Sequence, residues 1–376
     1  PQSTITCPAG ATNLSPGDDI DAIINRAPSG TSFCVRAGIH YLSAHIVPKS
    51  GQTIVGEFGA VIDGSQMVPR DPMDDAIIWG SQTNAGGVTI RNLVVRNLTG
   101  GHYVCVAVYN NPLPGWTIEH NELANCQIGV VGGVSTIIRN NSIHDNIQYG
   151  VSGYQSSGVT VQNNEFFRNY LCLCHPSDGG ASKFVGTSNN SFIGNYIHDN
   201  GGNGIWFDTK NTGVLIDGNT VSVNMKYGKA ISMEQNNGPA VIRNNTITVG
   251  SGGEVAIRLN NSSNVQIHNN TITTASLSGG GAINVFFDAS RTGWDTANNQ
   301  ITNNTISLQG SATIIVGVTC SNVSDCSPYW TTKGNLFQGN TYHVPSWTGR
   351  NWALSSSVAW PTWQAVGFDT TGSLVP

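Results

Sequence analysis

The chain has 376 residues, a formal net charge of −5 and only 10% charged residues, well under the ~25% of an ordinary globular chain. That composition excludes a basic nucleic-acid binder, a polyelectrolyte tail and a charged coiled coil. No apolar run reaches the ~18 residues that span a bilayer and no basic amphipathic stretch is present, so no membrane partner is expected. Eight cysteines form an even set. They point to an oxidising, secreted or extracellular setting, with pairs such as Cys7/Cys34 and Cys320/Cys326 that each bracket one short unit. The start at Pro1, without Met or an apolar leader, is expected of a processed mature chain.

In chain order, Ser15-Pro16-Gly17-Asp18 carries an N-cap residue with Pro at the first helical position. Ile20, Ile23, Ile24 and Ala27 then give the stripe of a short amphipathic helix, expected to cap the core. Residues 31–76 read as strands of irregular early coils. From there a pattern recurs in which an apolar residue and two variable residues precede Asn, as in Ile118 to Asn121, Ile138 to Asn141, Val161 to Asn164, Phe192 to Asn195, Ile216 to Asn219, Ile242 to Asn245, Ile267 to Asn270 and Ile301 to Asn304. The spacing, mostly 20 to 26 residues with longer steps before Asn195 and Asn304, is a solenoid period with two loop insertions. Alternating apolar residues broken by Asn, Gly and Ser make each repeat a set of short strands. Asn at a fixed turn position tolerates left-handed backbone and can bond the Asn of the next coil, building an asparagine ladder. After Asn340 the ladder stops, and Trp347, Trp352, Trp360 and Trp363 suggest an aromatic closure.

These features resemble the pectate-lyase-like superfamily of secreted right-handed β-helix proteins, with the Asn ladder, the N-terminal helix and the Gly-Ile strand starts as the points of likeness. The resemblance implies an all-β, right-handed parallel β-helix solenoid with an N-terminal helix cap and a Trp-rich C-terminal cap. The expected organisation is one domain, with residues 1–76 as cap and early coils, 77–340 as regular coils and 341–376 as the C-terminal cap. Members include polysaccharide lyases, glycoside hydrolases, uronate epimerases and adhesins, so the fold leaves the chemistry open.

Aligned on the ladder, a second strand per coil runs through Ser152 and Tyr154, Lys183, Trp206 and Asp208, Ser232 and Glu234, and Arg258 and Asn260. Period two sends Ser152, Lys183, Trp206, Ser232 and Arg258 outward in one file and Tyr154, Asp208, Glu234 and Asn260 in the next. The strand resembles the one that bears the catalytic carboxylates of polygalacturonases, although the paired Asp and the His-Gly of that family are absent. Asp208 and Glu234 would lie about 4.8 Å apart at the backbone. Two facing carboxylates cannot both ionise cheaply, as an acid/base pair requires, and this spacing suits a retaining glycosidase. Trp206 offers a ring face to a sugar; Arg258, Tyr154, Asn260 and Asp178 are expected on substrate. The bland alternative pairs Asp208 with Lys210 and Glu234 with Lys183 or Lys229.

Asp178 to Lys183 also resembles a segment of calcium-dependent pectate lyases that use a lysine base, which would make Lys183 the base of a β-elimination; the bland alternative has Lys183 neutralise the pair Asp208 and Glu234. In those enzymes Asp ligands surround the following segment, where this chain has Gly202, Asn203 and Trp206, so no cofactor is expected and calcium only through this weak likeness. Cys172, Cys174, His175 and Asp178 lack zinc-ligand spacing and read as a disulfide or a simple loop over the groove. Phe286, Phe287, Asp288, Arg291 and Trp294 read as a second wall. The expectation is a monomeric enzyme acting on a polysaccharide: a glycoside hydrolase first, a lyase or uronate epimerase second, with a non-catalytic glycan-binding adhesin as the rival of another class.

Overall fold

The computed structural model describes residues 6–68, 75–81, 83–99, 101–172, 178–276, 280–310, 313–344 and 349–375. Cys174, His175 and Trp347 lie outside them. The chain divides into two compact units, Pro1–Cys174 and His175–Pro376. In each, short strands stack rung on rung into three parallel sheets. The protein is an all-β right-handed parallel β-helix.

The stacking follows from the apolar pattern. In the first unit Ile54, Ile90, Ile118, Ile138 and Val161 fall in register on successive strands, all fully buried. The second unit repeats this with Phe192, Ile216, Ile242, Ile267, Ile301 and Phe337. Each such side chain contributes about 1.5–3 kcal/mol of burial.

The asparagine ladder forms as the repeat implies. In the first unit Asn121 Nδ2 donates to Asn141 Oδ1 (3.0 Å), and Asn141 donates to Asn164 (2.9 Å). In the second unit the series runs Asn195, Asn219, Asn245, Asn270, Asn304, Asn340 and finally Asp369. The backbone N–H of each ladder residue donates to the same oxygen as its side chain. One expectation is corrected here. The left-handed backbone belongs to the residue before the ladder Asn, such as Asn140, Asn163, Asn244, Asn269 and Asn303. That residue turns the chain and frees the buried Asn to reach along the stack.

The N-terminal helix is also displaced from its expected start. It runs Ile20–Arg26 with Asp19 as N-cap, its side chain accepting from Ala22 N–H. Gly17 has φ +96°, and Asp18 Oδ2 accepts from Ser15 N–H at 2.6 Å, so Ser15 to Asp18 close a turn that the helix cannot enter. Ile20 and Ile24 are buried, whereas Ile23 is 37% exposed. Near the other terminus Trp352 and Trp363 are buried, Trp352 against Trp360 and Trp363 against Phe337 and Phe368. Disulfides join Cys7 to Cys34, Cys105 to Cys126 and Cys320 to Cys326. Among the described residues no helix is long and apolar enough to cross a membrane.

Candidate active-site cleft

The third sheet of the second unit includes the strands Gly180–Val185, Ile205–Asp208, Lys229–Glu234, Val255–Asn260 and Ile283–Asp288. Ile205, Ile231, Ile257 and Ile283 are in register and buried. Pleating then turns the alternate residues outward. Trp206, Ser232 and Arg258 share one file; Asp208, Glu234 and Asn260 share the next. Phe184 pairs with Phe207, so Lys183 enters the Trp206 file. The expected register therefore holds at every one of these positions.

Over these files lies an open cleft of about 540 Å³. Its walls carry four carboxylates, Asp178, Asp208, Glu234 and Glu254, and four cations, Lys183, Lys229, Arg258 and Arg291. Every one of them is engaged. Lys183 Nζ lies 2.7 Å from Asp178 Oδ1 and 3.2 Å from Asp208 Oδ2, and 4.0 Å from the centre of the Trp206 ring. Arg291 Nη1 lies 2.6 Å from Glu234 Oε1 and donates to Gln235 Oε1 at 3.0 Å. Glu254 accepts from Arg258 and lies 3.0 Å from Lys229 Nζ. The Arg258 guanidinium also covers the Phe286 ring at 4.5 Å.

The two central carboxylates differ in their remaining partners. Glu234 Oε2 accepts from Trp206 Nε1 at 3.2 Å, and its Oε1 accepts from Asn260 Nδ2 at 3.4 Å. Asp208 Oδ1 accepts from the Thr209 hydroxyl at 2.8 Å. Neither bland pairing occurs as expected: the partner of Asp208 is Lys183 rather than Lys210, and that of Glu234 is Arg291 rather than Lys183 or Lys229. Because each carboxylate has its own cation, their mutual repulsion is offset.

Trp206 differs from the open platform expected of it. It is only 7% exposed, with a lysine over its face and its N–H on Glu234. The indole is thus held by Glu234 at its edge and by Lys183 over its face. Asn260 Oδ1 and Arg258 Nε are buried polar atoms without a hydrogen-bond partner. Asp178 lines the cleft with its Oδ1 on the Lys183 ammonium, while Tyr154 ends the strand Tyr149–Tyr154 of the first unit, half exposed, accepting from Gln155 Nε2 at 3.3 Å.

Arg291 was legible only as a wall residue. It lies in a turn moored by Asp288, whose side chain accepts from Asn322 Nδ2 and from Ser290; these donors bring the Asp288 carboxyl down to about 2. Glu254 and Lys229 escaped the sequence reading as a pair. The i,i+4 spacing of Glu254 and Arg258 is the one signal that could have found them. Asp178 and Asp208 already share an ammonium, so a calcium ion there would have to displace Lys183. Cys172 is disulfide-bonded and offers no thiolate. Among the described residues the only cluster of three potential metal ligands is Cys7, Cys34 and Glu57, and both cysteines there are disulfide sulfurs.

The right-handed β-helix region family matches residues 76–237. No curated protein matches the chain by sequence. Among solved structures the chain is similar to the A-module of the mannuronan C-5 epimerase AlgE6 of Azotobacter vinelandii, with a TM-score of 0.66, 16% identity, and 95% of this chain and 93% of that chain covered. It is similar to the surface adhesin PfbA of Streptococcus pneumoniae (TM-score 0.60, 12% identity, 93% of each chain). It is also similar to the catalytic unit of a GH87 α-1,3-glucanase of Streptomyces thermodiastaticus (TM-score 0.57, 14% identity, 100% of this chain and 69% of that chain). At such identities the likeness shows the fold.

Proposed function

From the premise that the chain belongs with the right-handed parallel β-helix proteins, we propose that it is a secreted enzyme that hydrolyses glycosidic bonds of a polysaccharide bound in the cleft of its second unit. One observation carries this reading: Asp208 and Glu234 are register neighbours on adjacent rungs, both facing the same cleft. Adjacent rungs stand about 4.8 Å apart, close to the carboxyl separation of about 5–5.5 Å that retaining glycosidases use. The disulfides among the described residues support the extracellular setting. Two of the similar structures are named for polysaccharide chemistry, an epimerase and a glucanase.

Hydrolysis is preferred to β-elimination on the state of Lys183. Its ammonium sits between two carboxylates and over an indole face, the partners of a cation that balances charge. A base needs a free lone pair. The second reading, lyase or epimerase action on a uronate polymer, draws support from Lys229 and Arg258, which share the single carboxylate of Glu254.

The test is digestion of α-1,3-glucan, alginate, polygalacturonate and xylan. New reducing ends without the ultraviolet absorbance of an unsaturated uronate support hydrolysis. Appearance of that absorbance selects the lyase. Asp208→Asn and Glu234→Gln should each lower kcat by about 10²- to 10⁴-fold while binding persists. A wild-type chain that binds one of these glycans and cleaves none is an adhesin.

A further inference from the structure

The two carboxylates are not interchangeable, and the difference is one of donor inventory. Glu234 accepts from a guanidinium N–H, an indole N–H and an amide N–H. Arg and Trp can only donate, and the amide of Asn260 presents its NH₂ to this oxygen. A proton on the bonded lobes of Glu234 would therefore have no acceptor to meet. Asp208 is placed differently. Its Oδ1 faces the Thr209 hydroxyl at 2.8 Å, and the same hydroxyl lies 3.4 Å from Gln235 Oε1. A hydroxyl both donates and accepts. Thr209 can donate to the Asp208 carboxylate, or turn its hydrogen to Gln235 and accept the O–H of protonated Asp208. Lys183 Nζ stands 3.2 Å from the other oxygen, Oδ2, and of the two carboxyls Asp208 is the one whose bonded partner can accept its proton.

Resting on the hydrolase reading above, we infer that Glu234 is the nucleophile, Asp208 the acid/base, and Arg291 and Thr209 the positioning residues that hold these two roles apart. In the first step a Glu234 oxygen forms a bond to the anomeric carbon. The bond from that carbon to the leaving oxygen breaks, its electron pair stays on the oxygen, and Asp208 supplies the proton. In the second step Asp208 takes a proton from water. The water oxygen bonds to the anomeric carbon, and the bond to Glu234 breaks with its electrons returning to the carboxylate. Sugar and aglycone leave with one water added, and both side chains end as they began.

Arg291 reaches Glu234 from a turn fixed independently of the cleft, through Asp288, Asn261 and Asn322. Its guanidinium touches Glu234 and also Gln235, which is 56 residues away along the chain. A side chain delivered in this way sets the direction of the carboxylate.

The experiment uses the polysaccharide of the four that the wild-type chain degrades fastest. Proton NMR of the first product should show retained anomeric configuration. With Asp208→Ala, mass spectrometry of the quenched enzyme should find a glycosyl ester on the peptide containing Glu234. Azide should rescue Asp208→Ala with retention and Glu234→Ala with inversion. Thr209→Val, which keeps shape and loses the hydroxyl, should lower kcat about 10-fold with KM within about twofold. Arg291→Ala should behave likewise and Arg291→Lys should recover part of the rate. Inversion by the wild-type chain, an ester on a residue other than Glu234, or unchanged kcat in both Thr209→Val and Arg291→Ala overturns the assignment while leaving hydrolysis in place. Absence of hydrolysis on all four glycans overturns both.

Discussion

The outer face of the third sheet is built in two ways. In the first unit Trp79, Ala107 and Val131 are register neighbours and cluster with Ala76 and Val104, flanked by Val47, Tyr109 and Ile128. In the second unit the outward file reads Lys183, Trp206, Ser232 and Arg258, with Asp208 and Glu234 beside it. Both faces stand on the same kind of buried interior, with Ile78, Val106 and Val130 in one and Ile205, Ile231 and Ile257 in the other. The rung therefore fixes where a side chain points, and the outward residue alone decides whether that face is apolar or charged. Chemistry can be written on such a scaffold without disturbing its core.

The contrast breaks most sharply at the carboxylates. Asp208→Asn or Glu234→Gln should remove about 10²- to 10⁴-fold of the rate and leave the melting temperature within a few degrees, as read by product release and circular dichroism. The counterpart in the first unit should do the reverse. Val131→Asp places a carboxylate against Trp79 and Ala107, and denaturant unfolding should show a loss of about 3 kcal/mol with kcat per folded molecule unchanged. Asn219→Ala strips the acceptor used by the N–H and side chain of Asn195; about 2–3 kcal/mol of stability should go with it.

The smallest expected effect depends on pH and belongs to the first unit. His144 lies 2.6 Å from Asp145 Oδ2 and 3.6 Å from Glu122 Oε1. Burial pulls its titration down, but the hydrogen bonds it donates to Glu122 and Asp145 outweigh burial and leave it raised. A raised histidine contributes stability that is fully present below its ordinary value of about 6.5 and is lost as pH rises through its folded value. Asp145 and Glu122 are lowered, the first chiefly by Arg168 and the second chiefly by His144, so their share is lost as pH falls through their folded values. The melting-temperature gap between wild type and His144→Gln should be widest between these limits and close as pH rises past neutrality.

What the sequence made legible is what repeats. The ladder positions and the outward register of Asp208, Glu234 and Arg258 follow from a period that hydrophobic alternation prints on every coil. Lys183 was visible by position and as a charge able to neutralise the carboxylate pair, which it does at Asp208, yet its contacts with Asp178 and the Trp206 face were not foreseen, because they depend on side-chain reach. Arg291 was visible only as an insertion residue, since a turn anchored by Asp288 carries no periodic signal. The helix start was misplaced because Ser15 and Asp18 close a turn on themselves, a local competition that residue spacing does not rank.

The amide series in the second unit has a direction. From Asn195 onward every side chain gives its hydrogens forward and receives from behind, so the row is a one-way relay of dipoles, and a one-way relay needs a terminus that only receives. Asp369 is that terminus: its oxygens take the Asn340 amide, the Tyr342 hydroxyl and the Trp363 indole N–H. An amide in its place would arrive with two hydrogens and nowhere to send them. Coils could thus be added or removed upstream in whole steps with every polar group still matched, and the identity of one acidic residue marks where the counting stops.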